Sequence, residues 1–282
     1  MIIDRKNIWI YLLLFLFHIL VTGFITFISN SDYLTPLHNG RGFWNITGDT
    51  SIYHREALIQ LEYLNNYEWL NWFKSFAAHQ NVKVISLSYW VTGFSHPLSF
   101  AFINTLTWLL SVILIFKSSK LLFPHIRYLP FLIIIFFIQP SILFNSTQLL
   151  RDTFFLLGIC FYIYGWVILD KNYPRWNWFF YMICGLILTV SMRSYLFPIF
   201  ALSITGYMIW VIFKKKWMAL PFIFLLSLLT FYGSGALNSK INLGSYSNYD
   251  YLVKIDNELR MQKLILKADS EEDFLVEDGG AG

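Results

Sequence analysis

IWIYLLLFLFHILVTGFITFI, residues 8–28, contains no charged side chain. A helix needs about 20 apolar residues to cross the hydrocarbon core of a bilayer, and this run is long enough. No small-residue cleavage site follows it, which predicts an uncleaved anchor rather than a signal peptide. The rest of the chain fits the same solvent. Of its 282 residues 56% are hydrophobic, 20% are aromatic and only 13% are charged, against roughly 25% charged in an average soluble domain. That composition excludes disorder, collagen and a disulfide scaffold. Cys160 and Cys184 both lie in apolar runs, which fits neither a disulfide framework nor a cysteine metal site.

Further apolar stretches follow at about 98–116, 129–147, 153–169, 177–192, 195–213 and 218–233. The sequence therefore predicts an all-α, polytopic membrane protein of about seven transmembrane helices. The stretch VISLSYWVTGF around 84–94 is apolar but half the needed length. It reads as a re-entrant or interfacial piece before His96-Pro97.

Lysine and arginine then set the orientation. With the N-terminus inside, ten basic residues and only Asp4 and Asp170 fall on the cytoplasmic turns. The net charge of +4 resolves into +8 inside and −4 outside. The expected organisation is an anchor over 1–28, an external loop of juxtamembrane amphipathic helices over 29–96, a helix bundle over 97–233 and an external tail over 234–282. That tail ends in SEEDFLVEDGGAG, an acidic stretch expected to be partly disordered. It stops without another span or compact domain, which reads as a piece of a longer protein. No fixed-period repeat and no glycine-rich phosphate loop is present, and the Lys214-Lys215-Lys216 run is explained as a topology anchor.

In the external loop, turn residues dominate up to Gly48 and a helical pattern begins at about Thr50. A second pattern carries Trp69, Leu70, Trp72, Phe73 and Phe76 on one side, and aromatic amphipathic helices of this kind lie in membrane interfaces. Asp49 stands before the first helix. It is a favoured N-cap type. Tyr53 and Glu56, four and seven residues on, share its helical face. Three more charges sit where the tight external turns meet the spans: Arg151 and Asp152 in QLLRDTFFLLG, and Arg193 in SMRSYLFP. Charges at a membrane boundary usually line a cavity or pathway. Mutual neutralisation of Arg151 and Asp152, or snorkelling of Arg193 to lipid phosphate, is the plainer alternative. His96 before Pro97 serves either as a cap or as a substrate contact. His18, inside the first span, reads as a packed, hydrogen-bonded histidine, and His54 as a solvated one.

Gly48-Asp49-Thr50 with Tyr53 and Ala57, Ser95-His96-Pro97-Leu98, Asp152 after Pro140 and Ser146, and Arg193 with Pro198 resemble the GT-C superfamily of polyprenyl-phosphate-sugar-dependent glycosyltransferases. The nearest branch is the bacterial one related to protein O-mannosyltransferases and lipid A aminoarabinose transferases. The likeness spans residues 8–210. It implies a bacterial inner-membrane enzyme that moves a sugar from a polyprenyl-phosphate donor to a hydroxyl on a lipid or glycan acceptor, with no nucleic-acid partner. Asp49 would be the general base and Asp152 a second acid. Arg151 and Arg193 would bind the donor phosphate, and Tyr53 and His96 would contact substrate. In members that use a divalent cation, Asp49 and Asp152 would hold it. Thr50 departs from the pattern, since many members carry a paired acid there, and family members usually have more spans.

Three other readings compete. A polysaccharide polymerase also pairs external arginines with polyprenyl-diphosphate substrates but places its large loop late in the chain. A transporter or flippase needs ionisable groups mid-span, where only His18 stands. A membrane interaction protein would use the external loop to bind a partner.

Overall fold

The computed structural model describes residues 8–40, 42–44, 49–75, 80–171, 176–193, 199–200, 202–204, 206, 210, 221, 223–225 and 227. The chain divides into two units, Met1–Leu228 and Leu229–Gly282, and every described residue belongs to the first. Among the described residues the fold is all-helical, with a single isolated bridge between His38 and Trp44 and no strand. In chain order the helices are α1 (Ile8–Ser29), α2 (Asp49–Asn65), α3 (Trp69–Lys74), α4 (Asn81–Thr92), α5 (Ala101–Leu122), α6 (Leu129–Ile138), α7 (Pro140–Thr147), α8 (Asp152–Lys171) and α9 (Asn177–Met192).

Three of these are long and apolar enough to cross a membrane: α1, α5 with its leading turn from Pro97, and α8. The expected span over 129–147 is instead a broken pair, α6 and α7, bent by 58°. Proline explains the break. A residue preceding proline is pushed out of the helical region, and Gln139, before Pro140, is extended with ψ 131°. Counting that pair as one span gives four. At 16 residues, α9 reaches only about 24 Å, and the expected spans at 195–213 and 218–233, like the tail and Phe76, lie wholly or largely outside the described residues. The seven expected spans are thus represented by three or four.

The bundle is organised inside out relative to a water-soluble fold. On α1, the buried stripe is Leu14, His18, Thr22, Thr26 and Ser29, at the three-to-four-residue spacing of one helical face, while Leu13, Leu20 and Phe24 project outward. His18 bonds through Nδ1 to Thr105 Oγ1 at 2.9 Å and through Nε2 to Ser146 Oγ at 2.8 Å, tying α1 to α5 and α7. Hydrogen bonds of this type are what joins helices where lipid supplies no hydrophobic drive.

The closest pairing is α8 against α9. A Cβ added at Gly185 would meet the Tyr162 backbone nitrogen at 2.5 Å, and one at Gly158 would meet Thr189 Oγ1 at the same distance. Only glycine admits that approach. The loop helices are joined to this pair by an apolar cluster in which Tyr53 and Ala57 of α2 and Ile85 of α4 are grouped with Leu149, Phe154 and Met192. The N-terminal half of α2 is thereby seated near the start of α8 and the end of α9. Upstream, Gly42 donates its N–H to Ser29 O at 3.2 Å with φ +86°, and an added Cβ there would stand 3.1 Å from His96 Nε2.

Candidate functional site

The antiparallel run of α8 and α9 brings residues far apart in sequence to one end of the bundle. Asp152 opens α8 and Arg193 caps α9, its N–H donating to Thr189 O. The Arg193 guanidinium donates through Nη2 to Asp152 Oδ1, and its carbon lies 5.0 Å from the centroid of the Phe155 ring. Phe155 is three residues along α8 from Asp152, hence on the same helical face. Adjacent Arg151 does not pair with Asp152. Its Nη1 donates to Met192 O at 3.3 Å, the last carbonyl of α9. A cation there complements the partial negative charge of a helix C-terminus.

Asp49 belongs to the first turn of α2 and is exposed. Its Oδ2 accepts a hydrogen bond from the Tyr53 hydroxyl at 3.3 Å. The cap expected of this residue is replaced by a bond to the side chain one turn on. Tyr53, expected to contact substrate, is 1% exposed, and its hydroxyl faces Asp49. Burial pushes the Tyr53 phenol up to about 12; Arg151 acts against that shift, while Asp49, through charge and hydrogen bond, and Asp152 add to it. One phenol therefore lies within electrostatic reach of Arg151, Asp49 and Asp152, and Arg193 is bound to the last of these. Glu56, the second acid expected on this face, is buried.

His96 is held elsewhere. Its Nδ1 accepts from Leu98 N at 3.2 Å, which is a cap on the turn leading into α5, and its ring stacks on Phe94 at 5.2 Å. Its influence reaches His54, whose Nδ1 bonds the Tyr89 hydroxyl at 2.8 Å. Burial, then His96 and Arg55, hold the His54 imidazole below its usual range. His54 follows Tyr53 by one residue and so sits about 100° around α2 from it. The His54–Tyr89 bond between α2 and α4 had no signal in the sequence beyond the two residue types.

No group of three or more His, Cys, Asp and Glu side chains suited to a metal occurs among the described residues. Asp152 accepts from Arg193 and Asp49 from Tyr53, and among the described residues no third His, Cys, Asp or Glu joins these two acids as a metal-ligand group. The arrangement offers three chemical elements: an exposed carboxylate fixed by a buried phenol, a carboxylate–guanidinium pair, and a second guanidinium. Among the described residues Arg151 forms no ion pair, and it spends one hydrogen bond on a carbonyl. Since guanidinium has five donors in a planar fork, most of its capacity remains for an anion. Compared with known protein families, with characterised proteins and with solved structures, the chain matches none.

Proposed function

We propose that this protein is a multi-pass membrane glycosyltransferase, with its N-terminus in the bacterial cytoplasm and a full complement of seven spans. It would move a sugar from a polyprenyl-phosphate donor to an acceptor hydroxyl at the outer face. The observation carrying this reading is that Tyr53, bonded to Asp49, packs in one cluster with Leu150, Phe154 and Met192, at the helix ends that hold Arg151, Asp152 and Arg193. An acceptor hydroxyl needs a base, and a departing phosphate needs fixed positive charge.

Asp49 takes the acceptor proton as the hydroxyl oxygen bonds to the anomeric carbon. The bond from that carbon to the phosphate oxygen breaks, and the electron pair leaves with polyprenyl phosphate. Arg151, which pairs with no carboxylate among the described residues, meets the phosphate as a bidentate fork. Asp152 holds Arg193 in place beside it.

The test is sugar transfer by the protein in lipid nanodiscs supplied with labelled polyprenyl-phosphate sugar. Replacing Asp49→Asn is expected to cut turnover by about 10²- to 10⁴-fold, the usual worth of a positioned base. Arg151→Gln is expected to raise the donor KM more than it lowers turnover. Equal activity of wild type and Asp49→Asn would remove Asp49 as the base. Transfer from a diphosphate-linked donor alone would reassign the site to a polysaccharide polymerase.

A further inference from the structure

On α4 both sides carry apolar residues. The side facing the protein mixes Val82 and Ile85 with Asn81, Ser86, Ser88 and Tyr89, all buried. Leu87, Trp90 and Val91 lie on the other side, Val91 70% exposed, with Lys83 the one charge. A helix bathed in water on its outer side shows polar residues there. An apolar outer side occurs on α1 as well, with leucines and phenylalanines outward and a largely polar stripe inward, and α1 is long enough to span. At 12 residues, α4 covers only about 18 Å and cannot.

The adjoining α3 extends the same surface. None of its residues is buried, Leu70 is 63% exposed and Phe73 72%. The Trp69 ring meets Trp90 edge-on at 4.9 Å, which makes the two helices one continuous apolar face. Lys83 folds back over it. Its Nζ donates to Phe73 O at 2.6 Å and stands 5.8 Å from both the Trp72 and Phe73 ring centroids. Exposed Lys74 ends α3. Aromatic rings with adjacent lysines match the boundary between acyl chains and phosphate headgroups.

From this we infer that α3 and the outer side of α4 form a shelf immersed in one leaflet, with acyl chains against Leu70, Phe73, Trp90 and Val91 and lipid phosphate at Lys74 and Lys83. Because α2 packs against α4, the shelf would set the height of Asp49 at the headgroup level. The inference does not depend on the transferase reading.

The experiment uses the full chain in phosphatidylglycerol–phosphatidylcholine vesicles. A phospholipid with a photoreactive diazirine in its acyl chain is expected to label peptides covering 69–73 and 87–91 of the unmodified protein, and to leave those covering 60–66 unlabelled. Independently, an environment-sensitive fluorophore is placed at Leu70→Cys, Val91→Cys or Glu62→Cys, with Cys160 and Cys184 replaced by serine. At 70 and 91 lipid-borne nitroxide should quench about threefold or more better than iodide, with the reverse order at 62. Iodide quenching at 70 and 91 as strong as at 62 would show an aqueous face. Protection from both quenchers would show a protein cover. Either result overturns the inference.

Discussion

Two helix pairs in this protein are built on opposite terms. Between α8 and α9, glycines at 158, 165 and 185 let backbone touch backbone, and the neighbouring cluster of Tyr162, Trp178 and Met182 is almost wholly apolar. Between α2 and α4 the contact includes hydrogen-bonding side chains: His54 on Tyr89, with Gln60, Asn81 and Ser86 buried alongside. The first pair has one way of fitting, because a backbone contact leaves no rotamer to adjust. The second depends on side-chain partners that can be exchanged. The ion pair and both arginines are carried at the ends of the rigid pair, and Asp49 is brought to them by the adjustable one. A site assembled in this way has its guanidinium half fixed and its exposed carboxylate set by packing.

The comparison breaks first, and most severely, at Gly185. Gly185→Leu puts a branched side chain where a single Cβ already meets backbone at 2.5 Å, and about 3 kcal/mol or more of stability should go. A thermal melt of the purified protein in detergent, read by near-ultraviolet circular dichroism, measures it. A melt unchanged from wild type would show that α8 and α9 are not in this register.

Next comes the charge pair that the rigid helices hold. Asp152→Asn leaves a half-buried guanidinium without its counter-charge and should cost about 2 kcal/mol. Arg193→Gln should cost a similar amount. The double variant should be clearly less destabilised than the sum of the two. Simple additivity in the same melts would mean that the pair is not formed.

The smallest effect belongs to the loop pair and shows only in alkali. The Tyr53 phenol is raised from an ordinary 10.0 to about 12. The unfolded chain therefore loses this proton first. The stabilisation is whole below pH 10 and disappears as pH climbs through 12. Between those limits the wild-type melting temperature should fall more steeply with pH than that of Tyr53→Phe. Parallel slopes would place Tyr53 in contact with solvent. At neutral pH the variant should lose only about 1 kcal/mol, the worth of one hydrogen bond.

The long apolar helices were plain in the sequence because a span leaves a run of some 20 residues with little else to read. The break at Pro140 was less visible: the residues on both sides are apolar, so hydropathy bridged what backbone geometry divides. In the site, residue types and sidedness singled out Asp49, Arg151, Asp152 and Arg193, and the fold sets the last three at one end of the α8–α9 pair. Their pairing could not be read. Arg151 and Asp152 are neighbours in the chain, but adjacent residues at a helix start point in different directions, and the partner of Asp152 is 41 residues away. Tyr53 was expected to face substrate because burial is decided by what packs on α2, and those residues come from α4 and from 149–154. For His96, the cap on Leu98 was one of two local options.

The Asp152–Arg193 contact also bears on how the molecule assembles. The glycine contacts fix how closely α8 and α9 approach, and the charge pair at their ends adds a second check on how they align lengthwise. A slip of one turn moves a residue by about 5.4 Å, which is enough to separate the guanidinium from its carboxylate. Asp152 stands at the first residue of one helix and Arg193 at the cap of the other, so they meet only when the two helices are aligned end to end. The contact is therefore specific to the helix register that the structure shows.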